Sequence, residues 1–175
     1  MNKRILALAI AASVLPLVTH ASDGTVAFSG ELKAETCTIT GPSSFTVNLP
    51  TVPASSLANM WDIAGNTQFS ISVTGCSVGL TGANVYFEHG ANVLSAHGTL
   101  KNNGTAANVE LGLYSVASNE VIDLAPPGTF TQYTQLTNNL SSNAARLDFI
   151  VAYVANGVVT PGTVQSSVTY SMVYN

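Results

Sequence analysis

The chain has 175 residues, of which 46% are hydrophobic and only 8% charged, and its formal net charge is −4. Five Lys and Arg against nine Asp and Glu are too few cations to hold a phosphate backbone or an anionic lipid surface, so the composition argues against nucleic-acid binding and against attachment to acidic membranes.

The first element is a leader. Lys3 and Arg4 precede the apolar run ILALAIAASVLPLV, which is too short to span a bilayer, and Thr19-His20-Ala21 places small residues at the first and third positions before Ser22. This pattern predicts a secretory signal over residues 1–21, cut after Ala21. The remaining 154 residues suffice for one domain with its own core. Lys33, Lys101 and Arg146 are then the only strong bases against nine acids, for a net charge of −6.

Next comes SDGTVAFSGELKAETC, Ser22 to Cys37, in which Val26, Phe28, Gly30, Leu32 and Ala34 occupy alternate positions. That is the period of a strand with one apolar face. A glycine within such a face loses packing area and usually marks a bulge or a point where another group comes close.

Cys37 and Cys76 are the only cysteines. An even count in an exported chain reads as a disulfide, and closing that loop contributes about 4 kcal/mol in the chain-entropy picture. A catalytic thiol would want a basic neighbour, and a metal pair closer spacing or nearby histidines.

Further strands are expected at 45–49 (FTVNL), 68–76 (QFSISVTGC), 83–89 (ANVYFEH), 108–115 (NVELGLYS), 120–124 (EVIDL), 146–154 (RLDFIVAYV) and 163–175 (TVQSSVTYSMVYN). Turn clusters such as KNNGTA, APPGT and NGVVTPG separate them. No stretch keeps a helical apolar period over three turns, so the composition and spacing predict an all-β sandwich. Residues 50–66 carry no clean period and are expected to form a loop or one helical turn, with Trp61 as a packing anchor.

Chemistry is not written in the chain. His20 leaves with the signal; Glu88, His89 and His97 fit no metal-ligand spacing, and neighbouring strand residues point to opposite faces, so both remaining histidines are expected at exposed loops or strand ends. There is no G-x-S-x-G, H-E-x-x-H, P-loop or G-x-G-x-x-G pattern. Asp62, Glu88, Glu110, Glu120, Asp123 and Asp148 are scattered and read as solubilising surface acids. The triplets NGT at Asn103 and NLS at Asn139 sit in turn-like sequence where such sequons arise by chance. The expectation is no catalytic residue, no metal, no cofactor and no small-molecule substrate.

The C-terminal strand is the counterpart of the N-terminal one. Val164, Val168, Tyr170, Met172 and Tyr174 share a face whose one polar member is Ser166, and Asn175 follows. An apolar strand at a sheet edge needs partners on both sides or it becomes an aggregation site. The N-terminal segment could supply one by strand addition, with main-chain hydrogen bonds for affinity and alternate side chains entering pockets.

With these features together, the chain resembles the structural subunits of chaperone-usher fimbriae (pili) of Gram-negative bacteria, and among them the major subunits of type 1 fimbriae. The likeness rests on GTVAFSGEL before the first cysteine, the Cys37/Cys76 pair, LKNNGTAANVELGLY (100–114), LDFIVAYVANGVVTPGTV (147–164) and the terminal VTYSMVYN. Gly162, fourteenth from the C-terminus, and the penultimate Tyr174 match that family's C-terminal signature. The resemblance implies an incomplete immunoglobulin-like β-sandwich lacking its last strand: signal 1–21, N-terminal donor-strand extension 22–36, pilin domain 37–175. A periplasmic chaperone would lend a strand to the open groove, and the outer-membrane usher would exchange it for the extension of a neighbouring subunit. Val26, Phe28, Gly30 and Leu32 would be the donor residues, with Gly30 fitting where the groove narrows. Gly162, Val164, Val168, Tyr170, Met172, Tyr174 and Asn175 would form the edge that meets the chaperone, whose basic residues would hold the Asn175 carboxylate. Head-to-tail contacts that do not close produce a filament, here a surface fimbrium serving adhesion rather than an enzyme. The competing readings are a minor adaptor or terminator subunit and a self-sufficient secreted β-sandwich binding protein. The tryptophan of WDIAGN and the histidines of FEHG and SAHG are the departures from the family pattern.

Overall fold

The computed structural model describes residues 26–31, 36–125, 132, 138–139 and 141–175. The expected signal and the donor position Leu32 lie outside the described residues. The chain divides into two units, Met1–Lys33 and Ala34–Asn175.

In the first unit, residues 26–31 form no strand ladder, and Val26 and Phe28 are 75% and 92% exposed. The alternation read from the sequence is there, but a ladder needs a second strand.

Among the described residues of the second unit there are ten strands: β1 (Thr38–Thr40), β2 (Ile63–Thr74), β3 (Gly82–Phe87), β4 (Val93–Leu94), β5 (Thr99–Lys101), β6 (Val109–Ser115), β7 (Val121–Ile122), β8 (Asn138–Asn139), β9 (Ala145–Ala155) and β10 (Tyr170–Tyr174). One sheet runs β1-β2-β9-β6-β5-β4, with β7 also on β6, and the other runs β10-β3-β8. Every pairing among the described residues is antiparallel.

Period two explains the core. Ile71 and Val73 of β2, Val85 and Phe87 of β3, Leu111 and Leu113 of β6, and Leu147, Phe149 and Val151 of β9 alternate inward and are buried, and most of them join one central cluster. Phe69, Phe149 and Phe87 stack in series, with centroids 5.3 and 5.2 Å apart, within the range where tilted and edge-on aromatic pairs attract. β9 is central because its inward positions Leu147, Phe149 and Val151 are apolar and buried and it pairs on both sides, Phe149 with Phe69 of β2 and with Ser115 of β6.

At one end of the body the Cys37–Cys76 disulfide closes beside Val73, Ala83 and Ile39. Ser77 N–H donates to the Thr36 carbonyl at 3.0 Å, so the bridge extends the β1–β2 pairing. In 50–66 one 3-10 turn forms, Ala54–Leu57, and Leu57 plugs the other end against Val109 and Ala155.

One expected strand is absent and another is shortened. Residues 45–49 and 163–169 belong to no ladder; β10 starts only at Tyr170. Their side chains still alternate: Val47 and Leu49 on one stretch and Val164, Ser166 and Val168 on the other are half-buried while their neighbours are exposed. These are stretches with the side-chain pattern of strands and no backbone partner on their facing sides.

Candidate functional site

The two unladdered stretches face each other across a groove of about 600 Å³. One wall is Ser43, Phe45, Val47 and Leu49; the other is Ser166, Val168, Tyr170 and Met172. The floor is the core itself, with Phe69, Ile71, Phe87, Leu111, Leu113 and Val151. Apart from half-buried Phe69 the floor is buried, whereas Val47, Leu49, Val168, Tyr170 and Met172 on the walls are only half-buried, so covering their apolar surface would be favourable.

The outer side of the 163–169 wall is held firmly. Ala106 N–H donates to the Thr163 carbonyl (3.0 Å) and Asn103 N–H to the Gln165 carbonyl (2.7 Å). Thr105 N–H donates to Thr163 Oγ1 (3.1 Å) and Thr163 N–H to Thr105 Oγ1 (2.9 Å). Asn102 Oδ1 accepts from Gly104 N–H (2.7 Å) and Gln165 N–H (2.9 Å), and its Nδ2 donates to the Ala106 carbonyl (2.8 Å). Further along, Asn92 Nδ2 donates to the Ser167 carbonyl (3.0 Å) and Glu88 N–H to the Thr169 carbonyl (2.8 Å).

Glycine makes this crossing possible. A Cβ on Gly162 would sit 2.4 Å from Ala106 N and 2.7 Å from Thr105 C, and one on Gly104 would sit 2.1 Å from Thr163 O. Main chain lies against main chain at both positions. KNNGT, read from sequence as turn residues, is therefore also the clamp on the C-terminal edge; Asn102, Thr105 and Thr163 carry no one-dimensional signal of that role, because their partners lie far along the chain.

Across the groove the arrangement differs. Among the described residues no backbone hydrogen bond joins 43–49 to 163–169. A side chain spans it instead: the Tyr170 hydroxyl donates to the Ser43 carbonyl at 3.0 Å. Ser166 Oγ is buried without a hydrogen-bond partner.

The other predicted residues are distributed as follows. Met172 lines the groove, and Val164 packs against the cores behind it. Tyr174 pairs with Ala83 and packs beside the disulfide. The Asn175 carbonyl accepts from Thr81 N–H (2.7 Å) and Gly82 N–H (3.2 Å). Gly30 has no heavy atom within 4 Å of where its Cβ would lie.

Glu88, His89 and His97 go to separate partners. Glu88 accepts from the Ser171 hydroxyl, His89 Nδ1 lies 3.2 Å from the Leu124 carbonyl, and His97 Nδ1 lies 2.9 Å from Glu110 Oε1. Trp61 stands edge-on to His97, with centroids 5.0 Å apart. Glu110 corrects the reading of the acids as surface groups: it is 1% exposed and accepts from the Thr99 hydroxyl at 2.6 Å and from Asn156 Nδ2. Its position on β6 turns it away from the central core into a small polar cluster, where several donors replace the water it lost.

The family model for fimbrial proteins matches residues 26–175. The major fimbrial subunit SMF-1 of Stenotrophomonas maltophilia is 38% identical over 167 residues, covering 91% of this chain and 97% of its own length. Among solved structures, the P pilus rod subunit PapA is similar with a TM-score of 0.57 at 14% identity, covering 79% of this chain and 99% of that one. A subunit from the structure of a chaperone-usher pilus gives a TM-score of 0.58 at 16% identity over 92% of this chain and 100% of that one. These structural likenesses show the same sandwich, and the matched sequence runs from the apolar N-terminal segment to the end of the C-terminal edge: the chain belongs to the fimbrial protein family.

Proposed function

We propose that the chain is a structural, non-enzymatic subunit of a chaperone-usher fimbria, and that it polymerises by giving its N-terminal segment to the groove of a neighbouring copy. The observation that carries this reading is an apolar groove between two unladdered stretches, in a chain whose residues 26–31 expose an alternating apolar face. Donor-strand complementation between chaperone and pilin is an established form of strand addition. Val26, Phe28 and Leu32 fill the groove, and burying each such side chain contributes about 1.5–3 kcal/mol. Both walls then gain the ladder that they lack.

The same groove serves the transit through the periplasm. After removal of the signal 1–21, a periplasmic chaperone covers the edge formed by Gly162, Val164, Val168, Tyr170, Met172, Tyr174 and Asn175, and the outer-membrane usher exchanges it for the extension 22–36 of the next subunit. Since every copy gives one segment and receives one, contacts are heterologous and the product is a surface filament.

The test compares residues 36–175 with the same chain carrying a copy of Ser22–Glu35 on a flexible linker after Asn175. A large rise in the guanidinium unfolding midpoint together with a soluble monomer supports strand donation. A bare domain that already unfolds cooperatively as a monomer, unchanged by the added strand, refutes it.

A further inference from the structure

We propose that Trp61, His97 and Lys101 form a binding site for an uncharged oligosaccharide beside the buried Glu110. The tryptophan of WDIAGN and the histidine of SAHG, two departures from the family pattern, meet in space: their ring centroids are 5.0 Å apart and their planes 84° to each other. Trp61 has a φ of 70°, a conformation that a bulky L side chain seldom adopts. Strain of this kind persists only where neighbours enforce it, and it concentrates at sites that hold a ligand. Here the enforcement is visible. Trp61 N–H donates to the Ala155 carbonyl at 2.8 Å and Ala155 N–H to the Asp62 carbonyl at 3.0 Å, while Asp62 Oδ2 accepts from Asn59 N–H at 2.7 Å. The turn therefore pins the indole at the end of β9 and leaves Trp61 49% exposed.

His97 is fixed from its other side. Its Nδ1 lies 2.9 and 3.0 Å from the two Glu110 oxygens, and the Thr99 hydroxyl and Asn156 Nδ2 supply the carboxylate's remaining donors. Glu110 thus has its acceptor positions filled; it orients the imidazole, whose Nε2 is the nitrogen left for a ligand. His97 lines an open pocket of about 540 Å³ together with Ser95, Lys101, Asn108 and Asn156, the size of a small-molecule site. It shares no lining residue with the groove, so the proposal does not depend on strand donation. Asn108 and Asn156 each spend an amide N–H on the protein, on the Val158 carbonyl and on Glu110, and keep Oδ1 as an acceptor. Arg146, the other strong base of Ala34–Asn175, is paired with Asp148, whereas Lys101 makes no ion pair among the described residues and stands opposite Glu110 in the ladder. Donors and acceptors thus converge with offsetting charges, which suits hydroxyls that both give and take hydrogen bonds; an apolar ligand would leave these groups desolvated and unpaired. One sugar ring in the pocket meets Lys101 and His97, and the indole, one imidazole further on, offers its apolar surface to the adjoining ring.

The experiment uses the full mature chain and its own reporter, since Trp61 is the only tryptophan. Its emission is followed while lactose, cellobiose, chitobiose and mannobiose are added in turn, with glycerol as the control for bulk solvent effects. At least one disaccharide is expected to change the emission saturably, with half-saturation at about 1 mM for an open site that must order its ligand, and glycerol to change it without saturation or not at all. Lys101→Ala should raise that half-saturation about fivefold. Trp61→Gly, which accommodates the positive φ, should abolish binding of the same disaccharide, read by saturation-transfer NMR because the reporter is gone. Should Trp61→Gly fail to fold, Lys101→Ala decides, because position 101 is exposed. The proposal is overturned if none of the four disaccharides acts saturably, if Lys101→Ala leaves the half-saturation unchanged, or if a folded Trp61→Gly chain still binds.

Discussion

Replacing Gly162 by Ala tests the clamp on the C-terminal edge most directly. The new Cβ would lie 2.4, 2.7 and 2.8 Å from Ala106 N, Thr105 C and Ala106 Cα, all main-chain atoms that no rotamer change can move aside. Reaching ordinary contact requires a separation of about 1 Å between the two chains, which would stretch the Ala106–Thr163 and Asn103–Gln165 hydrogen bonds, now 3.0 and 2.7 Å, to or beyond their useful range. Overpacking costs about 1–3 kcal/mol and weakening two hydrogen bonds about 1–2 kcal/mol. The reduced entropy of the unfolded Ala chain offsets about 0.5–1 kcal/mol. The net expectation is a loss of about 1–4.5 kcal/mol, measured as the shift in the guanidinium midpoint at constant slope. Gly90→Ala is the control, because nothing lies within 4 Å of its would-be Cβ. If Gly162→Ala and Gly90→Ala unfold within about 0.5 kcal/mol of each other, an ordinary surface change, the close crossing does not constrain the edge.

Other expectations follow from the same structure. Glu110→Ala deprives Thr99, His97 and Asn156 of their shared acceptor and should cost about 2–4 kcal/mol through unsatisfied donors, seen as a fall in Tm of about 4–16 °C for a domain of this size; an unchanged Tm would mean that the cluster is already solvated. Ser166→Ala should be neutral or stabilising by up to about 1 kcal/mol, since it removes a buried hydroxyl with no partner, and a clear loss in calorimetry would reveal a bond that the hydroxyl makes. Burial raises the pKa of Tyr114 and Tyr153, so the folded state holds these protons more tightly than the unfolded one. Their contribution is complete below the unfolded value of about 10 and is lost as pH rises past it. Stability measured against pH should therefore decline above about pH 10, and Tyr114→Phe should flatten the decline; an unaltered slope would assign it to other groups.

How much of this was legible in one dimension depends on the range of each interaction. Strand identity is local: the alternation of Leu147, Phe149 and Val151, or of Leu111 and Leu113, is enough to predict β9 and β6, and the structure buries those residues. The Cys37–Cys76 pairing was likewise readable, because two cysteines in an exported chain leave one partner each. The apolar alternation at both ends, interrupted by Gly30 in one and by Ser166 in the other, is equally a local pattern visible in the sequence.

Periodicity describes a residue's faces and is silent about its partners, and there the tertiary structure decided. Residues 45–49 and 163–169 have the pattern of strands but no ladder, since hydrogen-bond pairing belongs to two segments and none of the described residues pairs with their facing sides. Glu110 looked like any scattered acid until folding brought Thr99, His97 and Asn156 around its carboxylate. The need for glycine at position 162 depends on the main chain of Thr105 and Ala106, more than fifty residues earlier. The crossing of the groove by the Tyr170 hydroxyl depends on Ser43, 127 residues away. By itself the sequence determined the all-β class and the apolar alternation of the central strands, because side-chain period is a local property. Only the three-dimensional arrangement decided where the groove opens, what narrows it and what anchors its wall, because those properties come from contacts between segments remote in the chain.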